Sequence, residues 1–364
     1  MNNAIIATIA IAALCSAAPA AAQNSHKLTA GKATEYGLIY SLPMTVVDIT
    51  IEAEHTLKEP GEFYNYARKN LSISDAITAP QRSATIKSIT VVPRGVPNPQ
   101  SQWVAQFKAG ATPYMLLDAA GIPLAINTED IGDNARAQAL PTPKAAEPTP
   151  LETEAARQAI TQEMTLSSSL SKRAELAAQR VFELREMRSD LLSGEATNTP
   201  PDGKSMQLML DNISAQEAAL TAMFAGTTKT YTTVSTITFE PDSTEVSGEV
   251  IARLSPVDGF VAADDLSGAP ITLSMTILDA GMLPVNDKGE PKRFPKGGVA
   301  YNVPGTALIT ITYDGKTIAS QEVALAQLGV TFGLDPDLFT DKKAPSKLIL
   351  DQTTGAILKL GPAD

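Results

Sequence analysis

The sequence predicts an α+β protein with two antiparallel β-rich domains, sandwich or barrel-like, joined through a Pro-rich linker and a long antiparallel helical hairpin. Apolar and polar residues alternate with a period of two in stretches before residue 131 and after residue 227, which is typical of half-buried strands. Between them, two segments carry apolar residues at the 3-4 spacing of amphipathic helices. Helices do not alternate with strands in the C-terminal block, so an antiparallel arrangement is favoured there.

Composition excludes several classes of protein. The 364 residues include 40 Asp and Glu against 29 Lys and Arg, a net charge of -11, and this acidic surplus argues against a nucleic-acid partner. A hydrophobic fraction of 43% is enough for packed cores, so general disorder is excluded. One Cys and two His exclude a disulfide scaffold and the usual zinc sites, and we expect no cofactor.

Residues 1–22 are predicted to be a secretory signal peptide. An apolar run, AIIATIAIAAL (4–14), is too short to span a bilayer and is followed by small residues up to Ala22. Leu14 precedes Cys15, which does not fit a lipoprotein signal, so cleavage after Ala22 would remove the only cysteine. We therefore expect export to the periplasm or association with the outer membrane, with no transmembrane segment after removal of the signal.

The predicted N-terminal β-rich domain covers residues 23–131. Val47, Ile49 and Ile51 alternate with polar residues in its clearest strand, and FYNYARKNL (63–71) reads as a short helix. Four further strands are predicted, at 85–92, 102–108, 113–118 and 122–126. Residues 132–150 are rich in Pro and Ala without apolar periodicity, so they are interpreted as a semi-rigid linker.

Residues 151–226 are predicted to form the helical hairpin. The two apolar stripes are Leu170, Ala174, Ala177, Val181, Leu184, Arg188 and Leu191, then Met206, Met209, Ile213, Glu217, Leu220 and Phe224. Gly194 and Gly226 stand where helix C-caps are expected. The first helix would have about 40 residues against about 22 in the second, so it must bend, break or project, most easily at the Ser-rich run 165–171.

Glu217 is a charged residue within an apolar stripe. A connection centred near residue 199 places Glu217 opposite Arg180 or Val181 in an antiparallel pair. We hypothesise an ion pair between Arg180 and Glu217 that sets the helix register. The alternative is that both side chains extend into solvent from the edge of the stripe.

The predicted C-terminal β-rich domain covers residues 227–364. Strands are expected at 230–241, 248–255 and 269–278. Asp314-Gly315 predicts a type I′ turn between strands 306–313 and 316–325, because both turn positions require positive φ. A last hairpin is expected between 347–351 and 356–360, around the turn at 352–355.

Several segments distributed along the chain resemble the domain-of-unknown-function 4831 family, exported envelope proteins of Bacteroidota. They are YSLPMT (40–45), PGEFYNYARKNL (60–71), ELREMRSDLLSGE (183–195), PPDGK (200–204), GVAYNVPG (298–305) and DQTTGAIL (351–358). The resemblance implies a location in the cell envelope and supports the three-part organisation. It brings no activity.

Motifs that suggest catalysis are weak. Asp202-Gly203-Lys204-Ser205 echoes a phosphate-binding loop but lacks its first Gly, so a helix start is favoured. Ser169-Leu170-Ser171-Lys172 matches S-x-x-K without its companion motifs. Paired acids such as Asp264 and Asp265 are more typical of a solvated loop than of a hydrolase.

The remaining polar and aromatic candidates have similarly ordinary interpretations. His26 is expected near the mature N-terminus, and His55 is expected to be exposed at the end of its strand. Trp103 is interpreted as a core residue. No catalytic, metal-binding or cofactor-binding residue is therefore predicted.

The sequence favours a non-enzymatic interaction or assembly component whose partners are envelope proteins. The alternative is a glycan-binding or polysaccharide-processing protein that uses surface carboxylates and tyrosines such as Tyr64 and Tyr66. Asp242-Ser243-Thr244 also resembles an O-glycosylation signal, so Ser243 is a candidate modification site.

Overall fold

Antiparallel strands and one group of helices make up the fold. A computed structural model describes residues 38–105, 113–135, 140–197, 202–296, 298–341 and 344–363, which lie in one compact unit, Leu38–Asp364. The predicted signal peptide, Cys15 and His26 lie outside the described residues. The strands are β1 (Leu38–Glu59), β2 (Gln81–Ala105), β3 (Met115–Leu117), β4 (Pro123–Ile126), β5 (Thr227–Phe239), β6 (Val246–Ser255), β7 (Gly259–Val261), β8 (Ala269–Asp279), β9 (Val299–Tyr313), β10 (Lys316–Leu334), β11 (Ser346–Leu350) and β12 (Ile357–Pro362). The helices are α1 (Ala67–Leu71), α2 (Glu154–Ala159), α3 (Gln162–Leu166), α4 (Leu170–Ser193), α5 (Gly203–Ala225) and α6 (Asp337–Thr340).

The described strands form three antiparallel sheets, ordered β2-β1-β5, β10-β9-β8-β6-β7 and β12-β11-β4-β3. The first two sheets face each other as a sandwich, because β1 turns its odd-numbered residues, such as Ile49 and Ile51, toward Leu273 and Ile309 on the other sheet. These side chains are fully buried. The mixed helix and strand content and the antiparallel sheets are as predicted, whereas the barrel alternative is not found among the described sheets.

The sheets do not follow the predicted division into two β-rich domains. β5 comes after the helices, yet it pairs with β1 from Val47–Phe239 to Glu59–Thr227. Likewise, β11 pairs with β4 through Leu348–Ile126 and Ile349–Ala125. Strands from 23–131 and 227–364 therefore share sheets, which corrects the predicted division. Alternation of apolar and polar residues identifies a strand but not the strand with which it pairs.

One observed strand replaces two that the sequence predicts as separate. β2 is a single 25-residue strand that includes the predicted strand 85–92 and the start of 102–108. Its prolines, among them Pro93 and Pro97, are compatible with its position at a sheet edge, where a missing N–H breaks no ladder. The Asp314-Gly315 hairpin is confirmed, with φ of 48° and 71° at the two turn residues.

The helices pack as a separate layer around Phe63, Val181, Leu184, Leu220 and Phe224. The short helix of 63–71 is confirmed as a 3-10 turn, Tyr64–Tyr66, followed by α1. The long first helix of the hairpin breaks between α3 and α4, within the Ser-rich run expected to be weak, and again between α2 and α3. Gly194 caps α4 with a φ of 80°, and Gly226 follows α5 with a φ of 88°.

Candidate functional site

β5 lies at the edge of its sheet, and half of its backbone groups point away from β1. The Thr232 N–H donates to the Lys144 carbonyl at 2.9 Å, so it faces the free side of the strand. The pairing of β5 with β1 has no register shift, and backbone groups alternate in direction along a strand. The N–H and C=O groups of Val234, Thr236 and Thr238 therefore also face the free side. Among the described residues, these groups have no backbone partner.

The predicted linker covers the other half of this edge. Lys144 also donates its N–H to Thr232 Oγ1 at 2.9 Å, and Lys229 Nζ lies 3.0 Å from Glu152 Oε1. Prolines at 143, 148 and 150 lack an N–H, so regular strand pairing cannot propagate along this segment. Its described part, 140–149, therefore runs along the sheet rather than between two separate domains.

A groove of about 430 Å³ lies beside the uncovered part of β5. Its apolar lining, Ile237, Phe239, Val246 and Ile251, packs on the sandwich core. The opposite wall is β6, which pairs with β7 only over Arg253–Ser255. The first part of β6 therefore also has an edge without a ladder partner among the described residues. We call this feature the edge groove: β5 from 234 to 239, β6 from 246 to 251, and the connection between them.

The rim of the edge groove is acidic. Glu240, Asp242 and Glu249 line it, and its lining contains no Lys or Arg. The Thr244 hydroxyl donates to Asp242 Oδ1 at 2.6 Å, and this bond, with one from the Thr244 N–H, holds the pKa of Asp242 below its usual range. Asp242 is therefore ionised at neutral pH. The groove suits an extended segment with neutral or basic side chains rather than an acidic one.

The outer face of the same sheet carries paired charges. Arg94 Nε donates to Asp48 Oδ2 at 2.9 Å, and Thr238 Oγ1 donates to Asp48 Oδ1 at 2.7 Å. Lys87 and Ser88 donate to the two oxygens of Glu52 at 2.9 Å. Arg94 and Lys87 are the main causes that lower the pKa of Asp48 and of Glu52. Both acids are thus ionised and hydrogen-bonded, as expected of structural groups rather than of a general acid.

A second groove, of about 450 Å³, lies where residues 144–150 cross this outer face. We call it the threonine groove, because Thr228, Thr230 and Thr232 line it. Its lysines are Lys87, Lys144 and Lys229, and each forms a salt bridge, with Glu52, Glu147 and Glu152 respectively. The site is polar and locally neutralised. It offers hydroxyl and ammonium hydrogen bonds to a ligand.

His55 is buried, which corrects the prediction of an exposed side chain. β1 continues to Glu59, so His55 follows Ala53 on the inner face of the sandwich and is 1% exposed. Its ring stacks on Tyr231 with centroids 4.7 Å apart, and Nε2 lies 2.8 Å from Thr233 Oγ1. Nδ1 is without a hydrogen-bond partner. Burial lowers the pKa of His55, so the ring is neutral at pH 7.

Glu217 has different partners from the predicted one. It lies 2.6 Å from Arg185 Nε and 3.0 Å from Arg188 Nη1, whereas Arg180 lies 3.0 Å from Glu183 on its own helix. The physical reason is that helical side chains tilt toward the N-terminus of their helix. Glu217 therefore reaches toward the connection, while the arginines of α4 reach away from it. The carboxylate of Glu217 therefore meets arginines whose Cα atoms do not lie directly opposite its own Cα atom.

Residues of the two weak catalytic motifs act as helix N-caps. Asp202 Oδ1 accepts the N–H groups of Lys204 and Ser205 at 2.8 and 2.9 Å, as expected for a helix start. These bonds, led by the Ser205 N–H, lower the pKa of Asp202. Ser169 Oγ accepts the Lys172 N–H at 3.4 Å and caps α4.

The other residues singled out from the sequence do not converge on one site. Asp265 accepts the Ser267 N–H in an exposed turn, and Ser243 is exposed beside Asp242. Tyr66 packs on the helical core, while Tyr64 is half-buried. Trp103 is half-buried and stacks on Phe294 with centroids 5.3 Å apart. Glycosylation of Ser243 stays a prediction.

The described part of the chain contains no group of three or more His, Cys, Asp or Glu arranged to hold a metal ion. It also contains no helix that is both long and apolar enough to cross a bilayer.

The fold and the edge groove define a class: an antiparallel sandwich that carries a helical hairpin and leaves part of the β5 edge open. Within that class, the chain belongs to the family described as Domain of unknown function (DUF4831), which matches residues 36–358. The resemblance noted from the sequence is thereby confirmed at the level of the family. No curated protein and no solved structure matches the chain.

Proposed function

We propose that this protein is a non-enzymatic binding component of the cell envelope that holds a partner protein by strand addition at the edge groove. The observation that carries the proposal is the row of backbone groups at Val234, Thr236 and Thr238, which face the free side of β5 and have no backbone partner among the described residues. The groove lies at the Thr238 end of this row. An extended segment placed there would satisfy them, because strand addition uses main-chain hydrogen bonds for affinity. The apolar floor would receive alternate side chains of the added strand.

Export to the periplasm or to the outer membrane is part of the same proposal. Its support is the predicted signal peptide at 1–22, with its apolar run and its small residues up to Ala22. An N-terminal sequence of the native protein that begins at Gln23 would agree with export. Intact Met1 on the native protein would contradict it.

The lowered pKa values of three acidic residues favour binding over catalysis. Asp48, Glu52 and Asp242 all have a pKa lowered by hydrogen bonds, whereas a general acid needs a pKa raised toward neutrality. These three carboxylates are thus held ionised by their neighbours.

The test uses a proline whose effect depends on backbone direction. Thr236→Pro removes an N–H on the free side of β5 and leaves the ladder with β1 intact. The matched control is Thr236→Val, which also loses the 3.0 Å hydroxyl contact with Thr50 but keeps the N–H. Peptides selected from a random phage-displayed library on the wild-type protein should bind Thr236→Val normally. They should bind Thr236→Pro at least about tenfold more weakly.

The proposal fails if the selected peptides bind the three proteins equally, or if no peptide is selected. A nuclear magnetic resonance titration adds a direct readout. The amides of Val234, Thr236 and Thr238 should be protected from exchange only with peptide present.

The glycan alternative is supported by one feature, the threonine groove. Its hydroxyls and its paired lysines suit a hydroxylated ligand, although Tyr66 packs on the helices and does not line it. A glycan array distinguishes the two functions. Glycan binding that is lost in Thr230→Val and kept in Thr236→Pro would favour the alternative.

A further inference from the structure

The segment between β8 and β9 forms a protruding hairpin of its own. The Asn286 N–H donates to the Glu290 carbonyl at 2.8 Å, and the Lys292 N–H donates to the Pro284 carbonyl at 2.8 Å. Val285 and Pro291 pair between these bonds. Residues 282–296, which we call the basic hairpin, are thus held in a defined shape by their own backbone.

Aromatic side chains anchor the basic hairpin to the rest of the protein. The Phe294 ring stacks on Trp103 and meets Phe332 edge-on at 6.1 Å. Gly333 leaves space for this ring, since a Cβ there would lie 2.7 Å from it. On the other arm, the Gly281 N–H donates to the Leu328 carbonyl at 3.2 Å. Both arms are therefore anchored, and the hairpin presents a fixed surface.

The basic hairpin carries a local positive charge on an acidic protein. Lys288, Lys292, Arg293 and Lys296 are exposed, and none of them forms a salt bridge with a described residue. The acids of the hairpin are Asp287 and Glu290, and Glu290 accepts the Asn286 side-chain amide at 3.0 Å. In a chain with a net charge of -11, this surplus of cations indicates an anionic partner.

Apolar side chains stand beside the cations. Met282 is 77% exposed and Val285 is 56% exposed, and Leu283 lies between them. The backbone bonds place Pro284 and Val285 next to Pro291 and Lys292. Apolar side chains that are adjacent to one another and exposed are typical of an interaction surface.

We propose that the basic hairpin docks the protein on the surface of a lipid bilayer that contains anionic headgroups. Lysine and arginine side chains are attracted to anionic headgroups, while adjacent apolar side chains enter the boundary with the acyl chains. A soluble polyanion would engage the cations but would leave Met282 and Val285 in water. The combination of both side-chain types is what favours a bilayer.

The negative net charge of the protein opposes binding to anionic vesicles, so such binding would be informative. A protein of charge -11 is repelled as a whole by an anionic surface, so binding requires a local patch. At physiological salt the Debye length is about 8 Å, which confines the interaction to charges near the contact. The purified chain without residues 1–22 should sediment with vesicles of phosphatidylcholine and phosphatidylglycerol at a ratio of about 7:3. It should not sediment with phosphatidylcholine alone.

Matched charge reversals locate the contact. Lys292→Glu with Arg293→Glu should lower the partition coefficient at least tenfold, since each cation near an anionic surface contributes several-fold. The control is Arg68→Glu with Lys69→Glu, an adjacent pair exposed on α1 that changes the net charge equally. This control should bind as the wild type does. Met282→Ser with Val285→Ser should weaken binding several-fold and leave its salt dependence unchanged.

Four results would overturn the proposal. They are no binding to anionic vesicles, equal loss in the Arg68–Lys69 control, equal binding to phosphatidylcholine alone, and displacement by soluble polyglutamate at charge concentrations equal to those of the lipid. Thermal unfolding of each variant confirms that the fold is kept. The outcome is independent of the edge groove, since Thr236→Pro should bind vesicles normally.

Discussion

The helical hairpin and the β-sandwich are built from contacts of very different reach. In the hairpin, Arg185 meets Glu217 across a separation of 32 residues. In the sandwich, Thr50 meets Thr236 across 186 residues, and Thr45 meets Gln327 across 282. A sequence pattern reports neighbours a few turns or strands away. The hairpin could therefore be predicted as a unit, whereas the sheets are assembled from segments whose pairing leaves no local signal.

The same difference concerns stability. The sandwich core joins strands from both ends of the chain, so a defect there should affect the whole unit. Leu191 lies near the end of α4, next to the connection with α5, so we expect a defect there to remain local.

The largest expected effect is a cavity in the sandwich core. Ile309 is fully buried between the sheets, so Ile309→Ala should lower the free energy of unfolding by about 2–5 kcal/mol. Leu191→Ala, at the far end of the hairpin, should cost less than half of that. Urea unfolding gives both values, and hydrogen exchange should show faster opening in the hairpin alone for Leu191→Ala. Equal costs and equal exchange patterns would contradict the division into a global and a local region.

The predictable parts of the fold are those with a local physical cause. Gly194 and Gly226 mark helix ends because positive φ is easiest for glycine, and Asp314-Gly315 marks a hairpin for the same reason. The break near 165–171 followed from weak helix propensity. The pairing of β1 with β5 has no local cause in the sequence. For that reason the sequence was divided into two β-rich domains, although their strands share sheets.

The candidate site was less predictable than the fold. The alternation along β1 was visible, but the exposed interpretation of His55 failed because strand length, and hence burial, depends on β5 and β7. The extent of the edge groove depends on how much of β5 residues 144–149 leave uncovered. The one signal present in the sequence was the prolines at 143, 148 and 150, which cannot complete a ladder.

The second prediction compares two adjacent positions on β5. The Ser235 N–H faces β1, so Ser235→Pro should remove a ladder bond, leave a buried carbonyl unpaired, and cost about 2–4 kcal/mol. Thr236→Pro should cost less than half as much, because its N–H lies on the free side of β5. Ser235→Ala and Thr236→Val are the matched controls in thermal and urea unfolding. If the larger cost falls at 236, the free side of β5 is the opposite one.

The third prediction concerns the buried His55. Burial lowers its pKa in the folded state, so between the unfolded value near 6.5 and the folded value the unfolded chain binds more protons. Its contribution is therefore fully present above pH 6.5 and decreases as pH falls, at most by about 1.4 kcal/mol per pH unit. His55→Gln should flatten the stability profile between pH 7 and 5.5. Carboxylates with lowered pKa values contribute only at lower pH.

The smallest expected effect tests the register of the hairpin. Glu217 is 13% exposed and contacts two arginines that are about 40% exposed, so solvent screens each pair. Double-mutant cycles of Glu217→Ala with Arg185→Ala or Arg188→Ala should give coupling free energies of about 0.3–1 kcal/mol, reduced by added salt. The cycle with Arg180→Ala should give none, because Arg180 pairs with Glu183 on its own helix. Coupling with Arg180 alone would instead support a register set by Cα levels, and the tilt of side chains toward helix N-termini would not be what aligns α4 with α5.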